Sequence, residues 1–251
     1  MKKTVLSFLA HPDDAEFLCA GTLIRLAELG WDVHIASVTT GDCGTTVHDR
    51  WQISAIRTAE GAAAAKLIGA TYHCLGEPDI YVVYDKSTIG KAVDLFRRIA
   101  PSMVFTHARQ DYMMDHEITS MLARAASFAY GAPNASPWPR DPRSAVPHLY
   151  YCDPSEGIDP LGHPVEPTTL IDVSAQMPAK TAMLACHASQ REWLAAHHGT
   201  DEYLDTMRNW SGARGKLLGT AAAEAFVQHR GHAYLRNDLL MELLGSAPKS
   251  A

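Results

Sequence analysis

Apolar positions follow two alternating rhythms along the chain. A short continuous run at 5–10 has the pattern of a parallel strand covered on both faces, and 15–30 follows with helical spacing and closes on Gly30. The pair then repeats: a strand over 32–40 and an Ala-rich helix over 51–68 ended by Gly69; a strand over 71–75 and a helix over 87–100; a strand over 103–106 and a helix over 115–130 carrying Ile118, Leu122, Ala125 and Ala126 on one face. Beyond it, 131–143 turns Pro-, Ser- and Asn-rich, and strands are expected at 148–152 and 169–173 around a Pro/Gly-rich excursion. The closing segments 177–194 and 201–228 read as helical, and a polar tail over 246–251 reads as mobile. Strand-helix alternation of this kind predicts a single α/β domain with a mainly parallel sheet, helices on both faces and the site at the carboxyl ends of the strands.

Composition narrows the class. The 251 residues are enough for a sizeable core, and 47% hydrophobic with 20% charged residues excludes a disordered or coiled-coil chain. A net charge of −6 leaves no electrostatic footprint for nucleic acid or an anionic membrane, and no apolar run reaches spanning length, so the expected compartment is the cytoplasm. Lys2 and Lys3 before the first apolar run mimic a leader peptide, but the run ends in His11-Pro12-Asp13-Asp14 where a cleavage site would stand. Five scattered cysteines without a C-x-x-C pair argue against disulfides and a Cys-rich zinc module, so most are expected in the core. A homo-oligomer is possible.

His11-Pro12-Asp13-Asp14 falls where the first strand meets the first helix. One imidazole and two carboxylates on a turn stiffened by Pro12 can supply two metal ligands and leave a third acid free as a base. The competing reading is helix capping by the two acids. A second cluster, Asp111-Tyr112-Met113-Met114-Asp115-His116, follows the fourth strand at the equivalent edge, where His116 would complete a ligand set; here too Asp115 is a candidate N-cap.

The segment AHPDDAEFLCAGTL with a later DHEIT resembles the LmbE-like, or PIG-L, family of zinc-dependent N-deacetylases, along most of the chain. Thr40-Gly41-Asp42, Arg57 and Glu60, Leu75-Gly76-Glu77-Pro78-Asp79, Ser189-Gln190 and Glu224-Ala225-Phe226 add to the likeness. The resemblance implies a Rossmann-like three-layer sandwich and removal of an acetyl group from an N-acetylglucosamine conjugate. It implies His11, Asp14 and His116 as zinc ligands and Asp13 as the general base that passes the proton to the leaving amine. A His2Asp set also accepts iron, cobalt or manganese. One departure stands out: the family reads H-x-D-H, its first His stabilising the oxyanion, whereas this chain has Met113 there. A thioether donates no such bond, and losing an oxyanion donor costs on the order of 100- to 1,000-fold in turnover. His187 and Tyr112 are the candidate replacements; His187 alternatively sits in the core, bonded to backbone.

The remaining substrate-binding candidates each carry an ordinary alternative. Arg57 either grips a sugar-linked group or pairs with Glu60 along its helix. Asp42 and Asp79 either orient ligands and sugar hydroxyls or form Asx-type turns. Arg140 and Arg143, near Trp138, either touch substrate at the rim or are solvated charges, and Trp193, Trp210, Tyr203 and Phe226 are assigned to the core rather than to a sugar platform. The reading is a zinc-dependent deacetylase of a small N-acetylated sugar conjugate. Its alternatives are an amidase with a roomier pocket shaped by 131–167 and a non-catalytic sugar- or metal-binding module.

Overall fold

The computed structural model describes residues 3–139, 141, 145–198 and 202–245. Seven strands form one sheet in the order β3-β2-β1-β4-β5-β7-β6: β1 (Thr4–Leu9), β2 (Asp32–Thr39), β3 (Thr71–Glu77), β4 (Met103–Thr106), β5 (His148–Cys152), β6 (Thr169–Asp172) and β7 (Ala223–Gln228). The pairs among β1 to β5 are parallel, and β7 runs antiparallel to both β5 and β6. Alternate residues of β1 divide the core. Val5 and Leu9 pack with α1 (Asp14–Leu18), α2 (Ala20–Glu28), α3 (Arg50–Lys66), α6 (Met177–Leu184) and α9 (Leu239–Leu244). Leu6 and Phe8 pack with α4 (Lys86–Ile99) and α5 (Met114–Ala129). The outcome is the expected three-layer α/β sandwich with a mostly parallel sheet. A smaller cluster joins Leu184, Met207 and Tyr203, bringing α7 (Ala188–His198) and α8 (Tyr203–Leu218) over the first layer.

Three expectations are corrected. The segment 201–228 is not helical throughout: α8 ends at Gly219 in a left-handed cap, and β7 follows. Its polar alternate positions, Glu224 and Gln228, hide the strand pattern, yet both are buried, and Gln228 donates to the carbonyls of Leu235 and Asn237. The helix expected over 15–30 is two helices broken at Cys19. Lys180 donates to the Phe17 carbonyl (3.0 Å), while Glu224 accepts the N–H groups of Gly21 (2.8 Å) and Thr22 (2.7 Å) and Lys180 itself (2.6 Å). A buried ion pair thus takes the groups that would have continued the helical ladder, a recognised cause of a helix break. The helix expected over 177–194 likewise divides into α6 and α7.

The excursion 131–167 serves two ends of the molecule. Arg97, near the carboxyl end of α4, donates to the carbonyls of Tyr130, Ala132, Pro133, Ser136 and Trp138, tying that half to the edge of the sheet where β4 begins. Arg140, Arg143 and the tail 246–251 lie outside the described residues. Among the described residues no helix is long and apolar enough to cross a membrane.

Candidate active site

The chain leaves β1 for β2 and β3 on one side and returns to β4 on the other, so a crevice opens at the carboxyl ends of β1 and β4, the switch point where open α/β sheets bind ligands. His11, Asp13 and Asp14 follow β1; His107, Asp111 and His116 follow β4. Ligand atoms of His11, Asp14 and His116 lie within 4.8 Å of one another. His11 Nδ1 is 3.3 Å and His116 Nε2 3.7 Å from the Asp14 carboxylate, and His116 Nε2 is buried with no hydrogen-bond partner. The opposite ring nitrogens are occupied: His11 Nε2 meets Asp79 (3.1 Å), and His116 Nδ1 meets Asp111 (2.9 Å). Carboxylates that fix the far nitrogen of a histidine are the usual outer shell of a metal site.

Electrostatics agree with a cation here. Burial disfavours a charge on His11, yet Asp14, Asp115 and Asp79 outweigh it and hold its pKa well above the usual value. Burial likewise opposes ionisation of Asp14, Asp79 and Asp111, but neighbouring histidines hold all three below the usual carboxylate range. Such a site takes either a proton or a metal ion, and the unpartnered His116 nitrogen fits the metal.

The capping alternatives fail on geometry. Asp13 stands at the N-cap of α1 without bonding the helix; its Oδ2 accepts from Tyr203 Oη (2.5 Å) and its Oδ1 lies 3.6 Å from Arg57 Nη2. Burial, then the Asp13 charge, pushes the Tyr203 phenol up, so it stays a donor. Asp115 sits inside the first turn of α5 and accepts from the backbones of Ile80 (2.7 Å) and Val82 (3.3 Å), pinning the loop that carries Asp79. Arg57 is 3% exposed and turned away from Glu60, its Nη1 donating to the Gly41 carbonyl at 2.9 Å. Gly41, at φ +68, is required twice, because a Cβ there would lie 2.3 Å from that guanidinium. Glu60 instead accepts from the backbone and hydroxyl of Ser189, joining α3 to α7. Asp42 accepts from the Asp79 N–H (2.8 Å) and from Arg50, so it supports Asp79 from outside the cavity.

A cavity of about 980 Å³ opens over these groups. His11, Asp13, Asp14, Arg57, Asp79, Tyr112, Met113 and His116 line it, and Tyr112 stands edge-on to His116 with ring centroids 5.2 Å apart. His187, expected as a replacement donor, lies elsewhere: it is 1% exposed, off the cavity lining, with Nε2 3.5 Å from the fully buried Glu16. Burial works against a charge on His187, but Glu16 outweighs it and raises the pKa. Trp193 and Trp210, assigned to the core, line the cavity; Tyr203 lines it too while packing in the core with Leu184 and Met207, and Phe226 is core. Of the long excursion, 155–162 supplies wall residues.

Sequence reasoning missed His107 and the hydroxyl of Tyr203. His107 stacks on His116 at 3.8 Å, its Nε2 3.0 Å from Asp14 and accepting the Ala10 N–H; burial, then His116, pushes its pKa down to about 4, so it is neutral. Its place directly after β4 was the available signal. Nothing local marks Tyr203, which meets Asp13 across 190 positions.

The GlcNAc-PI de-N-acetylase (PIG-L) family model matches residues 6–127, the span from β1 to α5 that carries these ligands. Among curated proteins, the 4-oxalmesaconate hydratase of Pseudomonas putida is 26% identical over 198 residues, 75% of this chain and 74% of that one. The 1D-myo-inositol 2-acetamido-2-deoxy-alpha-D-glucopyranoside deacetylase of Rhodococcus jostii is 25% identical over 245 residues, 75% of this chain and 82% of that one. A solved structure of a conserved protein from Thermus thermophilus matches with a TM-score of 0.74 and 27% identity, covering 94% of this chain and 98% of that one.

Proposed function

We propose that this chain, matched over residues 6–127 by the PIG-L family model, is a zinc-dependent deacetylase of an N-acetylglucosamine-type conjugate. The observation that carries the reading is the convergence of His11, Asp14 and His116 beside Asp13, an acid held in place without capping its helix. His11, Asp14 and His116 would hold the zinc, which when bound would supply Lewis-acid polarisation of the amide carbonyl and a more acidic water. Asp13 takes the proton of the attacking water and hands it to the leaving nitrogen as the C–N bond breaks, so that water and amide become acetate and amine. Tyr203 and Arg57 fix the Asp13 carboxylate for both transfers. Met113 offers the oxyanion no donor, and Tyr112, beside it on the cavity lining, takes that role in place of the remote His187.

Hydration of an unsaturated carboxylate is the second reading, favoured by the likeness to the hydratase. Such a substrate needs cations to hold its carboxylates, and the guanidinium among the described lining residues, Arg57, is committed to Gly41 and Asp13. The deciding measurement is zinc content with acetate release from N-acetylglucosaminides for wild type and Asp13→Asn. Zinc bound by both proteins, with release about 10²- to 10⁴-fold slower in Asp13→Asn, is the expected result. Bound zinc with no acetate from the wild type overturns the deacetylase and returns the hydratase, the amidase of a larger conjugate and the binding module to contention.

A further inference from the structure

Resting on the deacetylase reading, we propose that the substrate is an N-acetylated amino sugar whose aglycone is apolar and carries no anionic group. The acetyl unit is two carbons, whereas the cavity, at about 980 Å³, lies at the upper end of the roughly 300–1,000 Å³ range of small-molecule sites, so most of it belongs to the amine half of the substrate. Away from the ligand cluster the wall carries a group of large apolar side chains, Phe17 of α1, Trp193 and Leu194 of α7, Trp210 of α8, and Ile158 and Leu161 from the segment after β5, with the polar Gln190 and Thr206 among them. Trp210 donates its indole N–H to Asp153 (3.1 Å), which turns its polar edge away and leaves the ring as a packing surface. Leu161, 81% exposed at the rim, leaves its isobutyl group in water until something covers it.

Charge points the same way. The carboxylates lining the cavity are Asp13, Asp14, Asp79, Asp111, Glu156 and Asp159, against Arg57 as the guanidinium or ammonium among the described lining residues, and Arg57 is buried against Gly41 and Asp13. Three of these acids serve the histidine cluster and one is the base, but Glu156 and Asp159 belong to the same wall segment as Ile158 and Leu161. Asp159 is taken up by the N–H groups of Leu161 and His163 and by the His163 ring (3.2 Å), so a phosphate or carboxylate on the aglycone meets the exposed Glu156 as like charge. A phenyl or alkyl aglycone meets indole and leucine.

The test is acetate release by the zinc-loaded enzyme from methyl, phenyl and carboxymethyl N-acetyl-β-glucosaminides, with calorimetric binding of phenyl β-glucoside, which has no acetamide to hydrolyse. The phenyl glycoside is expected to show a KM about tenfold below the methyl one, and the carboxymethyl glycoside one about tenfold above it, at similar kcat. Trp193→Ala brings the phenyl KM towards the methyl value, and so does Leu161→Ser, a rim substitution that leaves the core untouched. Acetate release with equal KM for phenyl and methyl, or with the carboxymethyl glycoside preferred, overturns the apolar class and leaves the deacetylase standing. Absence of acetate from all three glycosides, with phenyl glucoside bound by the wild type and lost in Trp193→Ala, overturns the deacetylase and supports the apolar site. Absence of both overturns both.

Discussion

Two groups of buried charge sit on either side of α1 and are built on opposite plans. On one side, each oxygen of Glu224 accepts a backbone N–H from the first turn of α2, and Lys180 closes the arrangement on Glu224 and on the Phe17 carbonyl. On the other, His11, Asp14 and His116 turn ligand atoms toward one another, and His116 Nε2 is left without a partner. The first group is satisfied by the chain itself and holds the start of α2 against β7. The second leaves His116 Nε2 buried and unsatisfied, which costs stability. The closed group positions a helix, and the open one keeps ligand atoms that a metal ion would take up under the proposed function.

The comparison can be broken most directly at the closed group. Lys180→Met leaves Glu224 buried and uncompensated and is expected to lower unfolding free energy by about 3–5 kcal/mol in a denaturant titration; a loss under about 1 kcal/mol would show that the pair is not holding the helix break. Adding Glu224→Gln should recover part of the loss, because the two sites are in contact.

The open group is sharpened by adding the proposed metal. Zinc at about 100 times its Kd should add about 2.7 kcal/mol to wild-type stability and nothing to His116→Gln, read as thermal shifts with and without zinc. Equal zinc-induced shifts in the two proteins would remove His116 from the ligand set.

Beside the open group, the positive φ of Gly41 and its contact with Arg57 tie backbone shape to the position of Asp13. Gly41→Ala is expected to cost about 1–3 kcal/mol and to slow acetate release as Arg57 is displaced. A stable variant with unchanged turnover would separate Arg57 from the chemistry.

The smallest effect comes from a third arrangement, the His34–His73 pair on β2 and β3, bonded at 2.9 Å. Burial, then His34 and Arg98, pushes the His73 pKa down to about 4, against 6.5 in the unfolded chain. The unfolded state therefore binds more protons between those values, so the contribution of this pair is present above pH 6.5 and is lost as pH falls toward 4. His73→Asn should flatten that limb of the stability–pH curve; an unaltered limb would assign the slope to other groups.

The legible features were those whose signal is local. Apolar runs placed β1 to β6 within a residue or two; the signal is plainest in β1, β4 and β5, where burial on both faces of a parallel strand writes itself into four to six consecutive residues. HPDD and DH stood out because the turns right after β1 and β4 are where a sheet of this kind presents side chains at its switch point. Glu224 and Gln228 concealed β7 because their burial depends on partners that the segment itself does not contain. His187 misled for a related reason: a histidine near a site in sequence pattern is indistinguishable from one turned onto a buried Glu16.

By itself the sequence determined the α/β alternation, the division of each strand between two layers, and the cluster of His11, Asp13, Asp14 and His116 at one edge of the sheet. Tertiary structure alone decided that β7 enters between β5 and β6, that Lys180 and Glu224 split a helix, that Tyr203 and Arg57 converge on Asp13, and that Trp193, Trp210 and Leu161 wall the cavity. The physical reason is range. Periodicity and turn chemistry act over a few residues, whereas these contacts join positions up to 190 residues apart, brought together when the apolar faces of sheet and helices are buried against one another.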